Sequence, residues 1–119
     1  MDWSRRVRDI LNAVDQNDSE KFATYLTADA EFRFGNGPAM VGSAAISQGV
    51  SDFLEMLGGI RHNILNVWRD GNHVVAQLVT DYTRKDGQVV SIPVVDVFRL
   101  RGDLIESYLI YADITPVFS

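Results

Sequence analysis

Residues 88–101 read QVVSIPVVDVFRLR, and this stretch decides the fold. It is rich in Val, Ile and Phe, which favour strands, and it carries one acid, Asp96, among apolar neighbours. Asp-Gly at 86–87 and Gly-Asp at 102–103 flank it, and such dipeptides are typical of two-residue turns between antiparallel strands. We therefore predict a long strand inside a meander. If this strand is buried, its lone carboxylate must become neutral or find a partner.

Three further β-rich runs accompany this strand, at about 60–69, 72–85 and 104–115. Before residue 60 the apolar residues recur at helical spacing in three places. The three stripes are Val7, Ile10, Leu11 and Val14, then Phe22, Tyr25 and Leu26, then Ile46, Val50, Phe53, Leu54 and Leu57. Short strands are predicted at 30–34 and 39–41. The predicted fold class is α+β: a single domain over residues 1–119, with four long strands plus two short ones in a curved antiparallel sheet packed on three N-terminal helices.

The composition excludes several classes of function. The chain has 46% apolar and 23% charged residues, no cysteine and a net charge of −5. No thiolate nucleophile or disulfide is available, and the acidic balance disfavours nucleic acid and anionic membranes as partners. The two histidines, His62 and His73, have no ligand spacing, so we expect no metal and no cofactor. We expect a cytoplasmic protein, because we find neither a membrane-spanning apolar run nor a signal-peptide core.

The predicted turns also determine which residues share a face of the sheet. If each loop has two residues, the pairs at the hairpin ends are Arg69 with Asn72, Lys85 with Gln88, and Arg101 with Leu104. Counting back from these pairs brings six polar residues to one face: His62, Gln77, Asp81, Asp96, Tyr111 and Asp113. A few polar groups on an apolar face are typical of a ligand pocket. Each residue also has a simpler interpretation, as an acid that faces water or a histidine satisfied within the core.

The opposite face of the predicted sheet is also apolar. Its residues are Leu65, Val67, Val74, Ala76, Leu78, Val95, Val97, Tyr108, Ile110 and Ala112. Because helices can cover only one face of the sheet, we predict a homodimer through this outer sheet face. Pro93 is the weak point of the alignment, since a proline inside a strand often marks a bulge that would shift the pairs beyond it.

Several segments of the chain resemble the nuclear transport factor 2-like superfamily. They are YLTADAEFRFGNGPAMVGSAAI at 25–46, the hairpin-linked strands, and LIESYLIYADITP at 104–116. Within the superfamily, the SnoaL-like polyketide cyclase group is the most similar. The resemblance implies a cone-shaped sheet wrapped on long helices, a ligand pocket in the hollow, and common dimerisation. The superfamily includes ketosteroid isomerases, limonene-epoxide hydrolases, scytalone-type dehydratases, polyketide cyclases and binders without catalysis, so the fold alone does not choose a function.

The resemblance to ketosteroid isomerases implies a role for Asp96. In those enzymes an aspartate in a segment like 94–98 stays protonated and donates a hydrogen bond to an oxyanion. The general base of the isomerases falls on Phe34, however, and their oxyanion tyrosine falls near Ile10. Two of the three catalytic groups are missing, which disfavours isomerisation by that mechanism.

The other relatives imply roles for further residues. Asp81 and Asp113 match the two acids of the epoxide hydrolases, whose arginine falls on Val79. Asp113 also matches the acid–base aspartate of the cyclases. The dehydratases pair a pocket histidine with aspartate and tyrosine, a role that His62 could fill with Tyr111 or Tyr25.

Three hypotheses follow from these residues. The first is a cofactor-free acid–base enzyme on a small hydrophobic molecule, of the cyclase, isomerase, dehydratase or epoxide hydrolase type. Its catalytic residues are predicted to be Asp113, Asp96, His62 and Asp81, and its ligand-binding residues Tyr111, Trp68, Gln77, Phe34, Phe53, Met40 and Tyr25. The second is a binder, without catalysis, of a hydrophobic small molecule or a protein partner. The third is a filled core in which the acids serve only as hydrogen-bonding anchors.

Overall fold

The N-terminal helix shows how the sequence begins to build the hydrophobic core. The Asp2 side chain accepts hydrogen bonds from the backbone N–H groups of Ser4 and Arg5, at 3.0 and 3.3 Å, so it caps the first turn. The predicted stripe is confirmed, because Val7 and Ile10 are fully buried. The helix packs against the long strand that begins at Gly59. No helix of the chain is both long enough and apolar enough to cross a membrane.

The computed structural model describes residues 1–119. In chain order the elements are α1 Trp3–Asp15, α2 Ser19–Ala23, β1 Leu26–Phe34, β2 Met40–Val41, α3 Ser43–Glu55, β3 Gly59–Asp70, β4 His73–Thr83, β5 Val89–Arg101, β6 Leu104–Tyr111 and α4 Thr115–Phe118. The predicted α+β class is confirmed, although α2 is shorter than predicted: Leu26, assigned above to the second helical stripe, begins β1.

The six strands form one curved, open sheet in the order β2-β1-β6-β5-β4-β3. All neighbouring strands are antiparallel except β1 and β6, which are parallel. The core lies between the helices and one face of this sheet, which we call the inner face. The opposite surface of β3 to β6 is called the outer face.

The predicted alignment of β3 with β4 is wrong by one or two residues. The loop has two residues, as predicted, but it is Gly71-Asn72, so Asp70 rather than Arg69 begins the pairing and faces His73. Gly71 adopts a φ of 59°, a conformation that glycine favours in such turns. A bulge between Ile64 and Asn66 then shifts the register by one residue, so that His62 faces Thr80.

The alignment of β4 with β5 is wrong by one residue because their loop is longer than two residues. The backbone N–H of Arg84 donates to the carbonyl of Gln88 at 2.8 Å, which leaves residues 85–87 as the loop. A shift of one residue moves every side chain of a strand to the other face. Pro93, the expected weak point, stays in register opposite Val79.

The alignment of β5 with β6 begins as predicted and then shifts. Arg101 faces Leu104, but a bulge beside Leu100 moves the rest of β6 by one residue. Asp96 therefore faces Ile110 instead of Leu109, and Phe98 faces Tyr108.

These shifts correct the predicted faces of the sheet. Seven residues predicted on the outer face belong to the core side of the sheet: Val67, Val74, Ala76, Leu78, Tyr108, Ile110 and Ala112. Val74, Ala76, Leu78 and Tyr108 are buried in the core, and the other three pack against it. Of the six polar residues predicted to share the inner face, three lie on the outer one: Gln77, Asp81 and Tyr111.

Candidate functional site

A cavity of about 280 Å³ lies between the helices and the inner face of the sheet. Most of its wall is apolar. Six aromatic rings contribute to it: Phe22, Phe32, Phe34, Phe53, Tyr82 and Tyr108. Apart from the two tyrosine hydroxyls, its polar side chains are His62, Thr80 and Asp96, and no lysine or arginine lines it. A largely apolar hollow with a few convergent polar groups is the usual form of a small-molecule site.

Contacts between the rings hold the wall in shape. Phe34 of β1 and Phe53 of α3 lie 5.8 Å apart between centroids, and Phe53 meets Tyr82 of β4 edge-on at 6.3 Å. Deeper in, Phe98 packs edge-on against Tyr108 at 4.5 Å. Such offset and edge-on pairs add stability beyond the area they bury. The cavity is therefore bounded on the helix side and the sheet side by interlocked rings.

Asp96 is the buried acid of the site. Strand β5 places it on the inner face, opposite Ala76 and Ile110, and only 1% of it is exposed. Its Oδ2 accepts a hydrogen bond from the hydroxyl of Tyr108 at 3.1 Å, and its Oδ1 has no partner. Burial raises the pKa of Asp96 to about 7, although His62 and the Tyr108 hydroxyl each pull it down in part. Asp96 can therefore either donate or accept a proton near neutral pH.

The two tyrosines of the cavity remain protonated beside this acid. Burial, then the charge of Asp96, raises the pKa of Tyr108 well above its ordinary value. The same two causes raise the pKa of Tyr82. Both phenols therefore act as hydrogen-bond donors at neutral pH, and Tyr108 fixes the orientation of the Asp96 carboxyl group.

His62 is held by Asp15, the last residue of α1. The imidazole Nδ1 lies 2.5 Å from Oδ1 of Asp15, and the backbone N–H of His62 donates to both carboxylate oxygens at 3.2 and 3.1 Å. A carboxylate only accepts, so we assign the ring proton to Nδ1. This tautomer leaves Nε2 as the nitrogen available to a ligand, and an imidazolium formed there would be stabilised by Asp15.

Asp15 was missed by the sequence analysis, although a signal was present. A negative charge at the C-terminal end of a helix opposes the helix dipole, so an acid at that position is unfavourable without another partner. The partner lies 47 residues further along the chain. The spacing of residues in the sequence could not reveal this pair.

Thr80 is a second polar residue that sequence analysis missed. It lies on β4 directly opposite His62, is completely buried, and lines the cavity. Its Oγ1 has no partner at hydrogen-bond geometry, and a looser interaction with the Tyr82 hydroxyl only opposes the rise in the pKa of Tyr82. The predicted register assigned Val79 to this position.

Five of the residues predicted for the site do line the cavity: His62, Asp96, Phe34, Phe53 and Met40. Six others do not: Asp81, Asp113, Tyr111, Trp68, Gln77 and Tyr25. The expectation that the three aspartates and His62 share one pocket is therefore wrong, because the strand register differs from the predicted one. For Asp96 and His62, which do line the cavity, a catalytic role stays a prediction.

Asp81 and Asp113 are carboxylates engaged outside the cavity. Oδ1 of Asp81 accepts from the Ser91 hydroxyl at 2.7 Å and Oδ2 accepts from Asn63 at 3.1 Å, and these bonds lower the pKa of Asp81. Asp113 follows the end of β6 and is exposed, because β6 stops at Tyr111 instead of running to residue 115. It accepts from the backbone N–H of Thr115 at 3.0 Å, and hydrogen bonding to Thr115 lowers the pKa of Asp113.

The remaining four predicted ligand contacts also have other surroundings. Trp68, Gln77 and Tyr111 point to the outer face, where Trp68 is 54% and Tyr111 58% exposed. Tyr25 lies under the guanidinium of Arg6, at 4.7 Å from the ring centroid. No group of three or more His, Asp or Glu side chains is arranged to hold a metal ion.

Comparison with solved structures supports the fold. A protein with a ketosteroid isomerase-like fold from Catenulispora acidiphila DSM 44928, in complex with trimethylamine, has a TM-score of 0.87 and 23% identity over 93% of this chain and 87% of its own. An M. tuberculosis epoxide hydrolase of the limonene-epoxide hydrolase type has a TM-score of 0.81 and 19% identity over 96% of this chain and 84% of its own.

A protein described as a SnoaL-like polyketide cyclase, from Jannaschia sp. CCS1, has a TM-score of 0.79 and 18% identity over 96% of this chain and 89% of its own. At these identities the likeness shows the shared fold alone. No curated protein sequence matches the chain. The sequence model of the SnoaL-like domain matches residues 7–108, which is most of the chain. The chain therefore belongs to the SnoaL-like domain family, on a nuclear transport factor 2-like fold.

Proposed function

We propose that the chain is a cofactor-free acid–base enzyme that acts on a small hydrophobic organic molecule bound in the inner cavity. One observation carries the proposal: a carboxylic acid and an imidazole line the same apolar cavity, and each is oriented by a second residue. Tyr108 orients Asp96, and Asp15 orients His62. Two titratable groups with different environments are the usual basis of an acid and a base in one site.

The geometry supports the removal of a proton from a carbon next to a carbonyl group. Protonated Asp96 would donate from Oδ1 to the carbonyl oxygen, since Oδ2 is already occupied by Tyr108. Nε2 of His62 would take the proton from the neighbouring carbon, and the electron pair would move to the oxygen as an enolate. Asp15 would stabilise the resulting imidazolium. The apolar wall strengthens each of these electrostatic contacts.

This arrangement favours isomerisation, dehydration or aldol-type cyclisation, all of which can begin with an enolate. The pairing of a pocket histidine with an aspartate is also what the resemblance to dehydratases implies, with Asp15 as the acid. Epoxide hydrolysis is less well supported, because Asp81 and Asp113, the residues that matched its two acids, lie outside the cavity.

Exchange of α-protons tests the proposal without knowledge of the natural substrate. Small ketones such as acetophenone and cyclohexanone are incubated with the protein in D2O, and loss of the α-proton signal is followed by NMR. We expect Asp96→Asn and His62→Gln each to slow exchange by about a hundredfold or more. Asp81→Asn, on the outer face, is the matched control and should leave the rate unchanged. Exchange that is equally fast in all three variants would contradict the assignment.

A binder without catalysis is the second candidate, favoured by the aromatic wall and by Phe34 at the position of the isomerase base. The trimethylamine complex of the Catenulispora acidiphila relative supports ligand binding in this fold. For a binder, small molecules would raise the melting temperature but would be recovered unaltered, with no α-proton exchange.

We also propose that two copies of the chain associate through the outer face. The exposed rings of Trp68 and Tyr111 lie there with partly buried Val75, Val95 and Leu109, and a contiguous apolar surface of this kind is typical of an interface. The variant Trp68→Lys should sediment as a monomer at concentrations where the unmodified chain sediments as a dimer. Identical sedimentation of the two would count against this interface.

A further inference from the structure

We propose that the hydroxyl of Thr80 is a second polar anchor of the cavity, and that the ligand is an uncharged molecule with two oxygen functions. One oxygen would meet Asp96 and the other would meet Thr80, beside His62. The inference rests on the proposed function in one respect, that the ligand occupies the inner cavity. It adds the chemical class of that ligand and a specificity-determining residue.

The first argument is the presence of two orphan polar atoms in one cavity. Oδ1 of Asp96 and Oγ1 of Thr80 are both buried without a hydrogen-bond partner, in residues that are 1% and 0% exposed. A buried polar group without a partner is destabilising, so most such groups are bonded. The two other orphan atoms of the chain, on Arg6 and Thr27, do not line this cavity. A bound molecule would satisfy both cavity atoms at once.

The second argument is the position of the two anchors in the sheet. Thr80 pairs with Ile92 on β5, and Asp96 lies four residues beyond Ile92 on that strand. Four residues span about 13 Å along a flat strand, and curvature brings inward-pointing side chains closer together. The anchors therefore occupy separate positions on the cavity wall, with His62 beside Thr80. A ligand that reaches both carries its two oxygens on separate parts of an apolar frame.

The third argument is charge. No lysine or arginine lines the cavity, while Asp96 lines it and Asp15 lies behind His62. An anionic ligand would lose its hydration next to acids and gain no cationic partner other than the imidazole. A threonine hydroxyl can donate and accept, and protonated Asp96 can donate, so both anchors suit neutral carbonyl or hydroxyl oxygens.

Four matched ketones test the proposal. They are acetophenones that carry hydroxymethyl, ethyl, carboxylate or aminomethyl at the ring position opposite the acetyl group, each also prepared as the neighbouring 3-substituted isomer. Their affinities are measured by NMR or calorimetric titration of the full chain. We expect the hydroxymethyl compound of one isomer series to bind about tenfold tighter than its ethyl counterpart. The carboxylate should bind most weakly.

Variants of Thr80 and Tyr82 then test which hydroxyl causes the preference for the hydroxymethyl compound. Thr80→Val should weaken binding of the hydroxymethyl compound about tenfold and leave the ethyl compound unchanged, whereas Thr80→Ser should keep the preference. Because the lost hydroxyl had no partner, the melting temperature of Thr80→Val should not fall below that of the unmodified chain. Tyr82→Phe is the control for the neighbouring hydroxyl and should retain the preference.

Several results would overturn the inference. They are equal affinity of hydroxymethyl and ethyl compounds in both isomer series, tightest binding by the carboxylate or the aminomethyl compound, or equal weakening of both neutral ligands by Thr80→Val. Loss of the preference in Tyr82→Phe but not in Thr80→Val would assign the contact to the tyrosine instead. These readouts are affinities, so α-proton exchange that still depends on Asp96 would leave the proposed function intact when the inference fails.

Discussion

Asp96 and Asp81 lie on neighbouring strands of one sheet, and the two faces of that sheet give them opposite properties. On the inner face, burial raises the pKa of Asp96 to about 7 and leaves one of its oxygens without a partner. On the outer face, hydrogen bonds from Ser91 and Asn63 lower the pKa of Asp81. The residue type is the same, so the surroundings alone determine whether the acid can exchange protons at neutral pH.

The largest expected difference between the two acids is in the pH dependence of stability. Folded Asp96 keeps its proton up to about pH 7, whereas in the unfolded chain it loses it near pH 4, so its stabilising contribution is complete below about pH 4 and is lost as the pH rises to about 7. The free energy of unfolding should fall by up to about 1.4 kcal/mol per pH unit in that window.

Denaturant unfolding at several pH values measures this slope. The variant Asp96→Asn should lack it, and Asp81→Asn should keep it. The lowered pKa of Asp81 acts in the opposite direction, because its contribution is present above about pH 4 and is lost only as the pH falls further. Equal slopes in the unmodified chain and in Asp96→Asn would contradict a desolvated acid.

A smaller effect is expected from a change of Asp15, which orients the proposed base His62. Asp15→Asn removes the carboxylate that orients His62, and it should slow α-proton exchange by about tenfold to a hundredfold through loss of the correct tautomer and of imidazolium stabilisation. Because Asp15 acts through His62, adding Asp15→Asn to His62→Gln should slow the exchange no further. Asp9→Asn, on the exposed side of the same helix, is the matched control. A further loss of rate in the double variant would contradict a role of Asp15 through His62.

The smallest expected effect concerns the width of the cavity. Gly49 of α3 has no side chain, and a Cβ built there would lie 2.4 Å from Sδ of Met40. Gly49→Ala should therefore push the flexible Met40 side chain into the cavity and weaken binding of the neutral acetophenones by about tenfold or less. Adding Met40→Ala should restore affinity, as measured by the same titrations. Weakening that persists in the double variant would place the clash elsewhere.

The two long helices, α1 and α3, and the class of fold were predictable from the sequence, because they depend on local patterns. The stripe that includes Val7 and Ile10 identifies the buried side of α1 without knowledge of any partner. The turn at 102–103 was placed correctly as well, with Arg101 facing Leu104. Each of these features is determined by residues within a few positions of one another.

The contents of the site were not predictable, because they depend on strand register. Residues 74–79 read VVAQLV, in which Gln77 is the single polar residue, so the pattern of β4 could not reveal a slip of one residue. The three-residue loop at 85–87 and two bulges each shift the strand register by one residue from the predicted one. Asp96 and His62 were nevertheless assigned to the same face. The predicted register placed Val79, rather than Thr80, opposite His62.

The titration of Asp96 itself is the most direct test of a buried, proton-exchanging acid in the cavity. The carboxyl carbon resonances of the aspartates are followed by NMR from pH 3 to pH 9, and Asp96 is assigned by the signal that disappears in Asp96→Asn. We predict a midpoint near pH 7 for Asp96 and midpoints below the ordinary value, about 4, for Asp81 and Asp113. A midpoint near 4 for Asp96 would contradict the assignment of this residue as the acid of the site.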